Sequence, residues 1–236
     1  MKVWNNERGN AAIYMLWLLG IVAIIFVLTI NIVKVYIVKE HSSMSAEQAA
    51  LAGTAVLVEK TSQAIENYES NPVNIPVRGL HELAEGRKIS ELIEKKKNDY
   101  ISSGYDESDA YIKAVNNVLT KGRLDWNGFL KKELRDELSD SASGAEYLIR
   151  PTILEVIEKN SAREEDTEVS FSSDKWRVEV KSTVRFESVS DNRIISTFIE
   201  DIPQRGYGPK LAYIEHVYSG TINYPEIPEN PPEDTE

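Results

Sequence analysis

Three histidines, scattered serines and an excess of carboxylates are the side chains from which chemistry could come. His41, His81 and His216 are far apart in sequence, and none stands at HExxH or other metal-ligand spacing. No serine lies in a Gly-x-Ser-x-Gly elbow or in a Ser-x-x-Lys motif with its supporting elements. The chain has no cysteine, which removes disulfides and thiolate zinc sites together. Glu164-Glu165-Asp166 and the acidic end of the chain have the pattern of solvated loops. Gly206-Tyr207-Gly208 lacks the strand–loop–helix context and the Lys-Ser/Thr of a phosphate loop, and predicts a tight turn. No catalytic residue, cofactor or metal is expected. What remains is the chemistry of packing and of membranes.

The elements that would do that work begin near the N-terminus. Residues 11–33 contain no charge, and Thr29 and Asn31 are their only strongly polar side chains. As a helix this stretch measures roughly 34 Å, against about 30 Å of hydrocarbon in a bilayer. The apolar core of a cleavable signal is shorter, about 7–15 residues, and is followed by a small-residue cleavage site. Here Lys34, Tyr36 and Lys39 follow instead, residues suited to the membrane interface. An uncleaved transmembrane helix in contact with the lipid bilayer is expected. Lys2 and Arg8 on one side and Lys34 and Lys39 on the other leave the positive-inside rule nearly balanced.

The chain carries 27 basic and 38 acidic residues, but only four of the former and one of the latter precede residue 40. The downstream part therefore holds a formal charge of −14. That excludes the basic face which nucleic acid or anionic lipid would need.

Five regions are expected: a polar tail over 1–10, the transmembrane helix over 11–33, a mainly helical region over 34–160, an antiparallel β region over 161–224 packed on the helices, and an acidic Pro-rich tail over 225–236. The helical pattern continues past the membrane to the break at Asn71-Pro72. Leu80, Leu83, Ala84, Ile89, Leu92 and Ile93 predict one helix, ended by Gly104. Asp106 or Ser108 is placed to cap another, through Tyr111, Ile112, Val115 and Leu119. Trp126, Phe129, Leu130, Leu134 and Leu138 predict a third, and residues 149–157, after Pro151, a fourth. The period then changes to two. Trp176, Val178, Val180, Val184 and Phe186 alternate with charged or polar residues, which predicts a half-buried strand. Val169 and Phe171 predict a strand before it, turning at Ser173-Asp174. Residues 194–202 predict one after it, joined through 190–192, and residues 211–222 a fourth, which holds His216. The fold class is α+β: one N-terminal transmembrane helix extending into a helical region, followed by a small antiparallel sheet. The Pro- and acid-rich tail cannot bury a core.

Two short pieces bracket the transmembrane stretch. Glu7-Arg8-Gly9-Asn10-Ala11-Ala12 leads into it, and Ser45-Ala46-Glu47-Gln48-Ala49-Ala50-Leu51-Ala52-Gly53 follows it. In this order and spacing they resemble the N-terminal segment of the TadE/TadG-like family, accessory proteins of Tad (Flp-type) pilus machinery. The resemblance implies an inner or plasma membrane protein with a cytoplasmic tail, an extracytoplasmic domain and a role in pilus assembly. It also implies Gly9–Asn10 as the bond a prepilin peptidase would cut. The fifth residue beyond that bond is Tyr14, where processed pilins carry glutamate, so the expectation is an uncut chain. The Asp-x-Ser-x-Ser metal pattern of longer relatives is not matched by Asp140-Ser-Ala-Ser143, and no metal is expected there.

Ala46, Ala49, Ala50 and Gly53 recur at three and four residues and make one small-residue helix face. Small residues let a second backbone approach closely. The face would pack either a partner subunit, in a homo- or hetero-oligomer of pilus-assembly or envelope membrane proteins, or the chain's own domain. The function expected is a non-catalytic assembly or scaffold subunit. The alternative is an anchored sensor or interaction module unrelated to pili.

Overall fold

The computed structural model describes residues 7–79, 86–160, 167–185 and 201–224. Helix α1 (Glu7–Ser70) runs unbroken for 64 residues, about 96 Å of helix. Between Gly20 and Gly53 it contains neither Gly nor Pro, so nothing interrupts the ladder where the apolar span gives way to the polar segment. It ends where sequence says it must. Asn71 is extended (ψ 119) ahead of Pro72, and its side chain accepts from the Val73 amide.

Among the helices that follow in the described residues are α2 (Ile89–Ser102), α3 (Glu107–Val118), α4 (Lys121–Trp126), α5 (Gly128–Leu138) and α6 (Ala142–Lys159). Asp106 caps α3, accepting from the amides of Ser108 and Asp109. Gly104, at φ +93, makes the α2–α3 turn that an L side chain would strain. Helix α6 starts at Ser141, whose hydroxyl accepts from the Gly144 amide, and passes through Pro151 instead of following it. Pro151 is on the exposed face, and the carbonyl it leaves unpaired belongs to the exposed Tyr147, within reach of water. The apolar run 149–157 is thus the second half of a longer helix. Leu80, Leu83 and Ala84 lie outside the described residues.

The sheet has the order β1 (Glu168–Ser172), β2 (Arg177–Arg185), β3 (Asp201–Tyr207), antiparallel throughout. Val169 pairs with Val180 and Phe171 with Val178, so the inward rows meet. Val180 pairs in turn with Gly206. Two details of the alternation differ from expectation. Trp176 is no strand residue: at φ 51 it sits in the turn, its ring against Phe171 and Tyr218. The inward row continues from Val178 and Val180 to Ser182, a small polar residue whose hydroxyl lies 3.4 Å from that of Thr167. The expected turn at 190–192, residues 194–200 and the tail from 225 lie outside the described residues.

Residues 211–222 form no fourth strand. They contain helix α7 (Tyr213–Tyr218), which places His216 on a helix. The apolar residues Leu211, Ile214 and Val217 are spaced by three and are all buried.

The core is built around the second half of α1. Leu57, Ala64, Ile65 and Tyr68 meet Leu130, Leu134 and Leu138 of α5, Ile149, Ile153 and Ile157 of α6, and Tyr213 of α7. Thr61 donates to the Leu57 carbonyl at 2.8 Å, so the hydrogen between Thr61 and Tyr213 comes from the phenol. Burial holds the Tyr213 and Tyr218 phenols well above the usual phenol range. In the unfolded chain they ionise near pH 10, so above that pH the unfolded state sheds protons first. Stability is intact below about pH 10 and is expected to fall above it, by about 1.4 kcal/mol per pH unit for each phenol. Urea midpoints of the full chain in micelles between pH 8 and 11 measure this, and Tyr213→Phe should flatten the alkaline slope.

Candidate functional site

Helix α1 changes environment along its length. From residue 11 to residue 33 every side chain is exposed except Asn31, which is buried and donates to the Val27 carbonyl. The stretch is long and apolar enough to cross a membrane. Helix α1 is described from Glu7, which places Gly9 and Asn10 within the helix. Gly20 has no neighbour within 4 Å of where a Cβ would stand.

The small-residue face is buried within the chain's own domain. Ala46, Ala49, Ala50 and Gly53 are all inaccessible to solvent or nearly so. A Cβ on Gly206 would overlap the Ala46 carbonyl, and one on Gly208 would overlap the Thr54 hydroxyl. Gly53 abuts Ile153 of α6 and Val178 of β2. The tight turn expected at Gly206-Tyr207-Gly208 is therefore the end of strand β3. Gly206 meets the α1 backbone at Ala46 and Glu47, and Gly208, just past the strand, lies against the Thr54 hydroxyl and the Ala50 carbonyl. Of the two ways to use that face, the structure displays the packing of the chain's own domain.

Among the described residues no three His, Asp or Glu side chains come together in a way that could hold a metal ion. His41 is exposed and His216 half-buried, while His81 and Glu164-Glu165-Asp166 lie outside the described residues. Asp140-Ser-Ala-Ser143 is the start of α6, where Ser141 serves as its cap.

One concave feature was not legible in the sequence. A groove of about 760 Å³ separates α1 from the α2–α3 hairpin. Leu51, Ala55 and Val58 line one wall and Tyr111 and Ile112 of α3 the other, with Pro209 at one end. Leu51 is 53 % exposed although it stands on the domain-bearing half of the helix. Its rim is charged: Asp106, Glu107 and Asp109 face Lys97. Lys97 is already engaged by Glu107 at 3.1 Å and Glu94 at 3.3 Å, and the bond from Glu107 above all raises its pKa. The groove thus presents apolar walls and a net acidic rim, three carboxylates to one ammonium. The helical spacing 51, 55, 58 was the available signal, hidden by the stronger stripe of small residues beside it.

The fold and this surface define an α+β domain erected on one long, partly membrane-length helix. Comparison with protein-family models, with characterised proteins and with solved structures finds no match to this chain.

Proposed function

We propose that this chain is a single-pass, membrane-anchored accessory component of a Tad/Flp-type pilus or related secretion system, acting as a non-catalytic assembly or scaffold subunit. Its N-terminus is cytoplasmic and its domain extracytoplasmic, at the inner or plasma membrane. The observation that carries the reading is the continuity of α1. The helix whose first part has bilayer length is also the central element of the domain core, so the domain is held at a fixed height and orientation above its anchor. A tethered enzyme does not need such a joint, whereas a subunit that must present a surface to neighbours in the same membrane does. The resemblance of Glu7–Ala12 and Ser45–Gly53 to TadE/TadG-like proteins supplies the pilus.

Intact mass of the protein from native membranes tests the anchor. The expected result is a chain cut neither at Gly9 nor beyond Val33. Loss of residues 1–9 would mean cutting at Gly9 and a place in the fibre; cleavage beyond Val33 would make the stretch a signal peptide. Deleting the gene in its native host should abolish surface pili or the cognate secretion while leaving the pilin subunit in the membrane. Normal fibres in that strain would reject the pilus role.

A further inference from the structure

We propose that the groove between α1 and α3 seats an amphipathic helix of another protein, bearing two or three aliphatic side chains at i, i+4 spacing flanked by Lys or Arg. The proposal deepens the assembly-subunit reading by naming the chemistry of the partner, and rests on it for the kind of protein involved. The α1 wall is apolar and straight, since Leu51, Ala55 and Val58 rise along one helix over about 10 Å, two turns of an incoming helix. The walls are helices, and a volume of about 760 Å³ takes several aliphatic side chains. Burying Leu51 and its neighbours supplies the drive, and the rim supplies the choice. Asp106, Glu107 and Asp109 stand over the groove with one lysine, itself paired twice. Glu47 and Glu59 are exposed on the α1 surface beside it. A basic partner is attracted and an acidic one repelled.

Two other occupants fit less well. Bilayer hydrocarbon ends near Val33, and Leu51 lies 18 residues further along an unbroken helix, about 27 Å beyond. A second copy, docking the same face, would set Glu47, Glu59, Asp106 and Asp109 against their counterparts.

The test uses the full chain in nanodiscs of zwitterionic lipid, with empty discs as background. Two labelled probes are titrated: an 18-residue helical peptide with a Leu stripe and Lys flanks, and the same peptide with every Lys replaced by Glu. Saturable binding of the Lys peptide, at least tenfold tighter than the Glu peptide, is expected. Leu51→Gln, at an exposed position, should weaken it at least tenfold. Asp106→Asn with Asp109→Asn keeps a competent helix cap, and should weaken binding several-fold and flatten its salt dependence. Equal binding of both peptides, or indifference to Leu51→Gln, would overturn the proposal. So would self-association of the chain that Leu51→Gln dissolves, which would name a second copy as occupant. Incorporation into discs reports the anchor separately, so loss of peptide binding in a well-anchored chain counts against the groove alone.

Discussion

Replacing Gly206 by alanine is expected to destabilise the domain by about 2–3 kcal/mol, and by valine to abolish its cooperative unfolding. Within a strand the ordinary effect has the opposite sign, because alanine restricts the unfolded chain and gains about 0.5–1 kcal/mol. Here the new Cβ points into the carbonyl of Ala46 and the amide of Glu47. Those atoms belong to the backbone of a helix held on several sides by α5, α6 and the sheet, so no rotamer change can clear the space. Gly53 makes the contrast. Its Cβ would meet the Cδ1 and Cγ1 of the buried Ile153 at 2.7 and 3.0 Å and the Cγ1 of Val178 at 3.3 Å, side chains instead of backbone, and alanine suits a helix better than glycine does. Gly53→Ala is therefore expected to cost about 1 kcal/mol, less than Gly206→Ala. Gly122 has nothing within 4 Å and lies in α4, so Gly122→Ala should stabilise by up to about 1 kcal/mol. Urea unfolding of the full chain in micelles, followed by far-UV circular dichroism, separates the three. A neutral or stabilising Gly206→Ala would mean that strand and helix are not in backbone contact.

The Gly206 contact also shows where the sequence stopped being legible. Helix α1 could be found because its signals are local: a charge-free run, good helix formers beyond it, then Asn71-Pro72. Strand β2 could be found because one wet face forces alternation, as in Val178 and Val180 against Arg177, Glu179 and Lys181. The Ala46–Gly53 face could be seen too, but not what covers it, because glycines at 206 and 208 look the same in a turn as in a strand pressed on a helix. Pro151 misled for a related reason. Proline predicts a helix start, yet a solvent-facing carbonyl one turn back makes an interior position tolerable. The groove depends on how far the α2–α3 hairpin stands from α1. That distance is set by packing elsewhere, and no periodicity records it. Helix α7 is the clearest case. Its six residues are rich in aromatic and β-branched side chains, which favour strand, and so short a helix is unstable alone. Its stability must come from groups remote in sequence.

Two of those groups are on α5, and Arg135→Ala is expected to cost about 2–3 kcal/mol and to release α7. The Arg135 guanidinium donates from Nε to the Val217 carbonyl at 2.8 Å and from a terminal nitrogen to that of Gly220 at 2.9 Å. One turn earlier, the fully buried Lys131 donates to the Ser219 carbonyl at 2.6 Å. Two cations on one helix face would repel each other, but here they share the negative end of the α7 dipole and satisfy carbonyls that the helix leaves unpaired. The two should differ in weight. Arg135 spans several carbonyls in a fixed fork that lysine cannot copy, so Arg135→Lys should recover less than half of the loss. Lys131 is a desolvated charge whose nearest carboxylate, on Asp125, is 3.5 Å away, so Lys131→Met offsets a lost bond by removing a buried charge and should cost less. Hydrogen exchange read by mass spectrometry on the full chain distinguishes local release from global loss. In Arg135→Ala the amides of Tyr213–Tyr218 should exchange at least tenfold faster, while those of Leu57–Tyr68 in α1 keep most of their protection. Unchanged protection in α7 would show that burial of Leu211, Ile214 and Val217 is sufficient to hold it, and that the cationic clamp contributes little.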